Sequence, residues 1–141
     1  MSLKAEDMGN MPEIEKQWAV VAMHHAETYY KILQAMDGKN LKLTKIDDEI
    51  YEHFKKMFPE IDVTELNEKD FKTPEAKARW RPFINEYENK VKDFNYGTLL
   101  RIRADGDYTE DNTMFATRTQ FYCIEISRNK LGYNSPICQK K

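Results

Sequence analysis

The sequence predicts an α+β fold: a single, mostly helical domain with a small antiparallel β element in its C-terminal half. Three observations carry this expectation. Apolar residues recur at helical spacing over residues 12–37. Two further helix starts follow, at Thr44 and at Thr73-Pro74-Glu75. After Gly97 the texture changes to alternating apolar and charged residues and then to a turn-rich loop. At 141 residues the chain suits one core and is short for two ordinary domains.

Residues 1–11, with two further Met, a Gly and mixed charge, read as a flexible lead-in. The globular domain is expected over 12–134 and a tail over 135–141. In the first helix, Ile14, Trp18, Val21, Ala22, His25, Tyr29, Ile32, Leu33 and Met36 form the expected buried stripe. Pro12 suits a first-turn position, Glu13 and Glu15 favour the positive end of the helix dipole, and Asp37-Gly38 is the stop. The second helix, 44–58, opens on Thr44 and Asp47 as a capping box. It carries Ile46, Ile50, Phe54, Met57 and Phe58, and ends before Pro59. A connector with a turn of helix after Asn67 leads to Thr73, a capping hydroxyl ahead of Pro74. The helix that follows contains Pro82, which removes a hydrogen bond and crowds the preceding turn, so a kink or break is expected at residues 80–83. In 98–104, Leu100 and Ile102 are expected to face one side of a strand and Arg101 and Arg103 the other. A loop over 105–112 leads to a short strand at 113–117. Residues 118–130 are read as a helix stopped by Gly132, with a strand as the alternative because Tyr122, Ile124 and Ile126 alternate.

Composition narrows the function classes. The net charge is −2 and the pI about 6.0, so there is no basic excess for nucleic acid. No apolar run approaches a membrane span, and "MSLKAEDMGNM" lacks the apolar core of a secretion signal. Cys123 and Cys138 are the only cysteines, which fits a reducing compartment. The expected address is the cytosol, with the nucleus as a second compartment.

The residue types of catalysis do not assemble. His24 and His25 are adjacent and so cannot share a helix face, and His53 stands alone, which makes core or boundary histidines the plain reading. There is no GxSxG elbow, and Cys123 reads as a small core residue. The five glycines, at 9, 38, 97, 106 and 132, never cluster as a dinucleotide, methyl-donor or phosphate loop requires. Gly97 is read as a bend or close-packing point at a strand mouth, and no cofactor or metal is expected. Two charged regions remain. Residues 47–70 hold nine carboxylates, including Glu52 and Asp62, against three lysines. Arg101, Arg103, Arg118 and Arg128, with Tyr96, Tyr108 and Tyr122, would form a basic, aromatic-edged patch if strand and last helix adjoin.

Several blocks in order, "AMHHAETYYKIL" (22–33), "LKLTKIDDEIYEHF" (41–54), "WRPF" (80–83), "DFNYGTLLR" (93–101) and "YTEDNTMFATRTQFYCIEISRNKLGYN" (108–134), resemble the small eukaryotic polysaccharide biosynthesis domain-containing protein family. The family name reflects a profile shared with plant xylan-modifying methyltransferases. The resemblance implies instead a non-enzymatic, ribosome-associated chaperone that binds the nascent GTP-binding domain of translation elongation factor 1-alpha. A methyltransferase-like enzyme and a general protein-interaction module are the alternatives. The client is basic, so the acidic 47–70 stretch, with Glu52 and Asp62, is one expected contact. The other is the 93–134 block, with Tyr96, Arg101, Arg103, Tyr108, Arg118 and Arg128.

Overall fold

A computed structural model describes residues 13–139. The lead-in expected over 1–11, Pro12 and the side chain of Ile14 lie outside the described residues. Seven elements follow in order: α1 (Glu13–Ala35), α2 (Asp47–Met57), α3 (Lys69–Lys72), α4 (Pro74–Asn85), β1 (Gly97–Arg101), β2 (Thr113–Thr117) and α5 (Arg118–Leu131). Short 3-10 turns sit at Gly38–Asn40, Glu110–Asn112 and Ser135–Ile137. This is the α+β architecture the sequence predicts, and α5 resolves the helix-or-strand alternative in favour of helix.

The sheet is the centre of the molecule. β1 and β2 run antiparallel with Gly97 opposite Thr117 and Arg101 opposite Thr113. Leu99 and Phe115 pack on Ala22, Ala26 and Trp18 of α1. Leu100, Met114 and Ala116 enter the larger core with Phe121, Ile124 and Ile126 of α5. Both faces of the sheet are thus covered, and β1 is buried at Thr98, Leu99, Leu100 and Arg101 in succession. The alternation expected for 98–104 presumed one solvated face, and α1 removes it. Beyond Arg101 the strand is continued by bonds from Leu66 N–H to Ile102 O (2.8 Å) and from Ala104 N–H to Thr64 O (2.9 Å).

Gly97 earns its place by close approach. The Trp18 indole N–H donates to its carbonyl at 3.1 Å. A Cβ there would lie 2.6 Å from the Trp18 ring. Trp80 anchors the other end of the core, stacked on Phe58 at 3.9 Å and on Phe71 at 5.5 Å. Its indole N–H donates to Asp70 O at 2.9 Å.

Helix boundaries follow local chemistry, with two corrections. Thr73 caps α4, accepting from Ala76 N–H at 3.1 Å as expected. The Thr44/Asp47 capping box does not form, because α2 starts at Asp47. Its carboxylate reaches back to accept from Leu43 N–H (2.8 Å), Thr44 N–H (2.7 Å) and the Thr44 hydroxyl (2.6 Å). α4 is not broken at Pro82 but runs to Asn85. Ala78 and Pro82 both lie on the exposed side, so the Ala78 carbonyl that loses its bond is open to solvent. α5 opens on a capping box between Thr117 and Gln120 and closes on Gly132 at φ 84°.

That left-handed position generates a prediction. Gly132→Ala places a Cβ where L-residues are strained, 2.8 Å from the flexible Lys39 side chain. It is expected to lower stability by about 1–2 kcal/mol in urea unfolding.

Candidate functional site

The structure divides the predicted arginine-tyrosine patch into an interior network and a surface remainder. Arg101 and Arg128, expected at a partner surface, are both wholly buried. The reason is Glu125, which the sequence reading passed over although it stands in the apolar run "FYCIEIS". Its Oε1 accepts from Arg101 (3.0 Å), the Tyr29 hydroxyl (2.9 Å) and Asn134 (2.9 Å). Its Oε2 accepts from Arg128 at 2.8 Å. Arg128 also donates to the carbonyls of Val63 (2.7 Å), Arg101 (3.0 Å) and Ile102 (3.0 Å). Arg101 donates to those of Ala104 (2.8 Å) and Gly106 (3.1 Å), and to Asn134 Oδ1 (2.8 Å). Burial by itself would push the Glu125 carboxyl up. The two guanidinium charges outweigh it and hold the group at about 2. Burial, and then the Glu125 charge, push the Tyr29 hydroxyl well up. The Tyr108 hydroxyl lies buried beside Arg101, pushed up by burial and then by Glu125. Arg101 and Arg128 are therefore corrected from client contacts to interior groups, and Tyr108 is partly buried with its hydroxyl inside.

Tyr96, directly ahead of β1, is 61% exposed. Arg118 is half-buried, and its backbone N–H donates to Tyr96 O at 2.8 Å, so these two predicted residues are neighbours. Arg103 is exposed, with Nε 3.4 Å from Asp105. Burial, with Arg118 as a second cause, holds His25 below its ordinary pKa, and its Nδ1 lies 3.1 Å from the Thr98 hydroxyl. His53 stacks on Phe83 at 4.1 Å and its Nδ1 meets the Tyr87 hydroxyl at 2.8 Å. Both are boundary histidines, as read. Cys123 is a buried free thiol pushed well up by burial. Among the described residues, no group of three or more His, Cys, Asp or Glu is placed to hold a metal ion, and no helix is long and apolar enough to cross a membrane.

The acidic 47–70 stretch is largely committed to the fold. Glu49 pairs with Lys90 at 2.8 Å, Glu60 with Arg79 at 2.7 Å, and Asp48 with Lys130. Glu52 and Asp62 are exposed. Glu52 lies 3.6 Å from Lys55, and Asp62 accepts from the Thr64 N–H (2.9 Å) and hydroxyl (2.6 Å).

α1 departs furthest from its expected burial. Its buried face is Ala19, Ala22, Ala26, Tyr29 and Leu33. Val21, Ile32 and Met36, expected inside, are 65%, 39% and 40% exposed. The small alanines let α1 sit close on the sheet, so a narrow face suffices. Val21, Ile32 and, just past the end of α1, Met36 fall at helical spacing along the edge of the stripe, and they leave apolar surface on one side of α1 that the core does not use.

A family model described as "PBDC1 protein" matches residues 14–139. The chain is 50% identical to the human "Protein PBDC1" over 137 residues, 97% of this chain and 59% of that one. It is 48% identical to the Saccharomyces cerevisiae "Protein PBDC1 homolog" over 144 residues, 99% of each chain. The chain thus spans somewhat more than half of the human relative and nearly all of the yeast one. The solution NMR structure of the Saccharomyces cerevisiae protein yst0336 matches with a TM-score of 0.83 and 47% sequence identity, covering 99% of this chain and 98% of that one.

Two outcomes test the interior network. Glu125→Gln leaves two buried guanidinium groups without a counter-charge and is expected to cost about 3–5 kcal/mol in urea unfolding. Because the folded carboxyl titrates at about 2 rather than 4.5, its stabilisation is complete above 4.5. It is lost as pH falls from 4.5 through 2, so the urea midpoint should fall across that window, and this component should be absent from Glu125→Gln.

Proposed function

We propose that this chain, which belongs to the PBDC1 family, is a non-enzymatic, client-specific chaperone that binds the nascent GTP-binding domain of translation elongation factor 1-alpha at the ribosome in the cytosol. One observation carries the site of that activity: the apolar strip of Val21, Ile32 and Met36 along α1, left over after the core is complete. Val21 and Ile32 lie about 16 Å apart along α1 at 1.5 Å per residue, with Met36 directly after its end, long enough for a protein contact. A partly folded domain exposes apolar surface, and each large side chain it covers contributes about 1.5–3 kcal/mol of burial. A chaperone working this way needs no nucleotide of its own. By binding the incompletely folded client in preference to other forms it shifts the population, by mass action alone. Of the predicted Arg/Tyr contact, Tyr96, Arg103 and Arg118 reach the surface, and Tyr96 and Arg118, adjacent through their backbones, are proposed as a second contact. Arg103, Glu52 and Asp62 supply rim charges that tune encounter rather than hold the client.

Capture of nascent chains from translating ribosomes tests the reading. The full chain is expected to enrich elongation factor 1-alpha nascent chains once their GTP-binding domain has emerged. Val21→Asp combined with Ile32→Asp should lower that capture at least tenfold while the urea midpoint stays unchanged. No enrichment, together with normal factor levels after deletion of the gene, would overturn the proposal. So would saturable micromolar binding of S-adenosylmethionine in a thermal-shift titration, which would favour a methyltransferase.

A further inference from the structure

We propose that the groove between β2 and α4 is a second docking site, which takes an extended acidic segment of a partner protein and pairs it with the outer edge of β2. The groove encloses about 480 Å³, within the range of binding pockets. Lys72, Lys77 and Arg81 line it, and no carboxylate does. In a chain of net charge −2, this is a local reversal of sign. Lys77 and Arg81 are one helical turn apart on α4, both exposed, so they project along the same wall. Ile84 and Phe115 supply apolar surface above the buried Phe71 and Trp80, Asn95 supplies an exposed amide group, and the buried Gln120 amide accepts from Thr117 N–H beneath. A basic wall, an apolar floor and an exposed amide suit a peptide that alternates carboxylates with apolar side chains.

The backbone supplies the orientation. Ile102 N–H donates to Asn112 O, and Arg118 N–H donates to Tyr96 O. In this register the even-numbered residues of β2 bond to β1, so the N–H and C=O of Phe115 point away from it, towards the groove. Among the described residues the sheet has two strands, so no third strand pairs with that edge. The Lys72 ammonium donates to the Phe115 carbonyl. It is half-buried, and burial depresses its pKa. Glu68, outside the groove, offsets part of its charge. A lysine laid on a strand edge is a common device against edge-to-edge pairing. Here it stands with two further cations over an apolar floor, which edge protection does not require. An acidic segment would draw the ammonium from the carbonyl to a carboxylate. The Phe115 carbonyl and N–H would then be free to pair with one residue of the incoming strand, as in strand addition. This site is separate from the α1 strip and stands whether or not the client reading holds.

The probe is a fluorescein-labelled heptapeptide, acetyl-Glu-Val-Asp-Val-Glu-Val-Asp-amide, added to the full chain at low salt. Three controls accompany it: a version with lysine at every acidic position, a version with proline at the central valine, and inorganic phosphate. The acidic peptide is expected to bind with a dissociation constant in the micromolar range and to shift the backbone amides of Phe115, Thr117 and Gln120 in NMR spectra. Affinity should fall at least tenfold for the lysine peptide and for Lys77→Glu combined with Arg81→Glu, whose urea midpoint should match the parent. It should fall at least fivefold for the proline peptide, which lacks the central N–H. Failure to shift the groove amides, or equal binding of the lysine peptide, would overturn the proposal. Equal binding of the proline peptide, or the same shifts from phosphate alone, would also overturn it by reducing the site to an anion patch. The same shifts appearing with protein concentration alone would assign the groove to a second copy of the chain and overturn it too.

Discussion

One buried carboxylate holds this fold together. Glu125 accepts from β1, α1, the segment after α5 and its own helix, and its partner Arg128 reaches on to the carbonyl of Val63. A carboxylate in that position is untenable alone, because removing it from water costs several kcal/mol. The two guanidinium groups make it tenable, and they in turn donate further N–H groups to the carbonyls of Ala104, Gly106 and Ile102, which leaves Arg101 Nε as the one buried guanidinium nitrogen of the pair without a partner. Segments far apart in the chain are therefore locked into one arrangement by hydrogen-bond geometry rather than by shape alone. An apolar cluster of the same volume tolerates small slides between elements. A two-arginine, one-carboxylate junction tolerates few, because each shift strands a charge.

That rigidity explains how function can lie at the surface. The interior network takes up the residues that most resembled an interface, Arg101, Arg128 and Tyr108. The acidic stretch is tied by Lys90, Arg79 and Lys130 into neighbouring elements. Among the described residues, two surfaces outside these pairings are the apolar edge of α1 and the basic groove beside β2. They differ in chemistry, one suited to exposed apolar surface and the other to an extended acidic strand. Both lean on the sheet, and Phe115 joins them: its ring packs on Trp18 of α1 at 5.1 Å while its backbone faces the groove.

Periodicity and capping made much of the scaffold legible. The 3.6-residue spacing placed α1, Thr73 with Pro74 placed α4, and Gly132 closed α5, because each signal is written in a few adjacent residues. Asp47 shows the limit. Its carboxylate was assigned to a box with Thr44, but the helix starts one turn later and the same carboxylate closes the preceding turn. Pro82 shows it again: a rule about backbone hydrogen bonds foretold a kink or a break, but the helix carries on because the lost bond falls on a solvated side. The candidate site was legible in part. Tyr96, Arg103 and Arg118 do reach the surface. Glu125 was missed, although an acid amid apolar residues on the last helix was the available signal.

The sequence by itself determined the fold class, the order of the elements, their types up to the helix-or-strand alternative at 118–130, and membership of the family, since these rest on local propensity and on blocks of residues in order. Only the tertiary structure decided which apolar and charged residues face inward. Val21 and Leu33 look alike in a helical stripe, yet the closeness allowed by three alanines buries one and exposes the other. Arg101 and Arg103 look alike in a strand, yet one meets a carboxylate 24 residues away and the other faces water. Burial of a side chain depends on what another part of the chain brings to cover or neutralise it, and neither spacing nor composition contains that information.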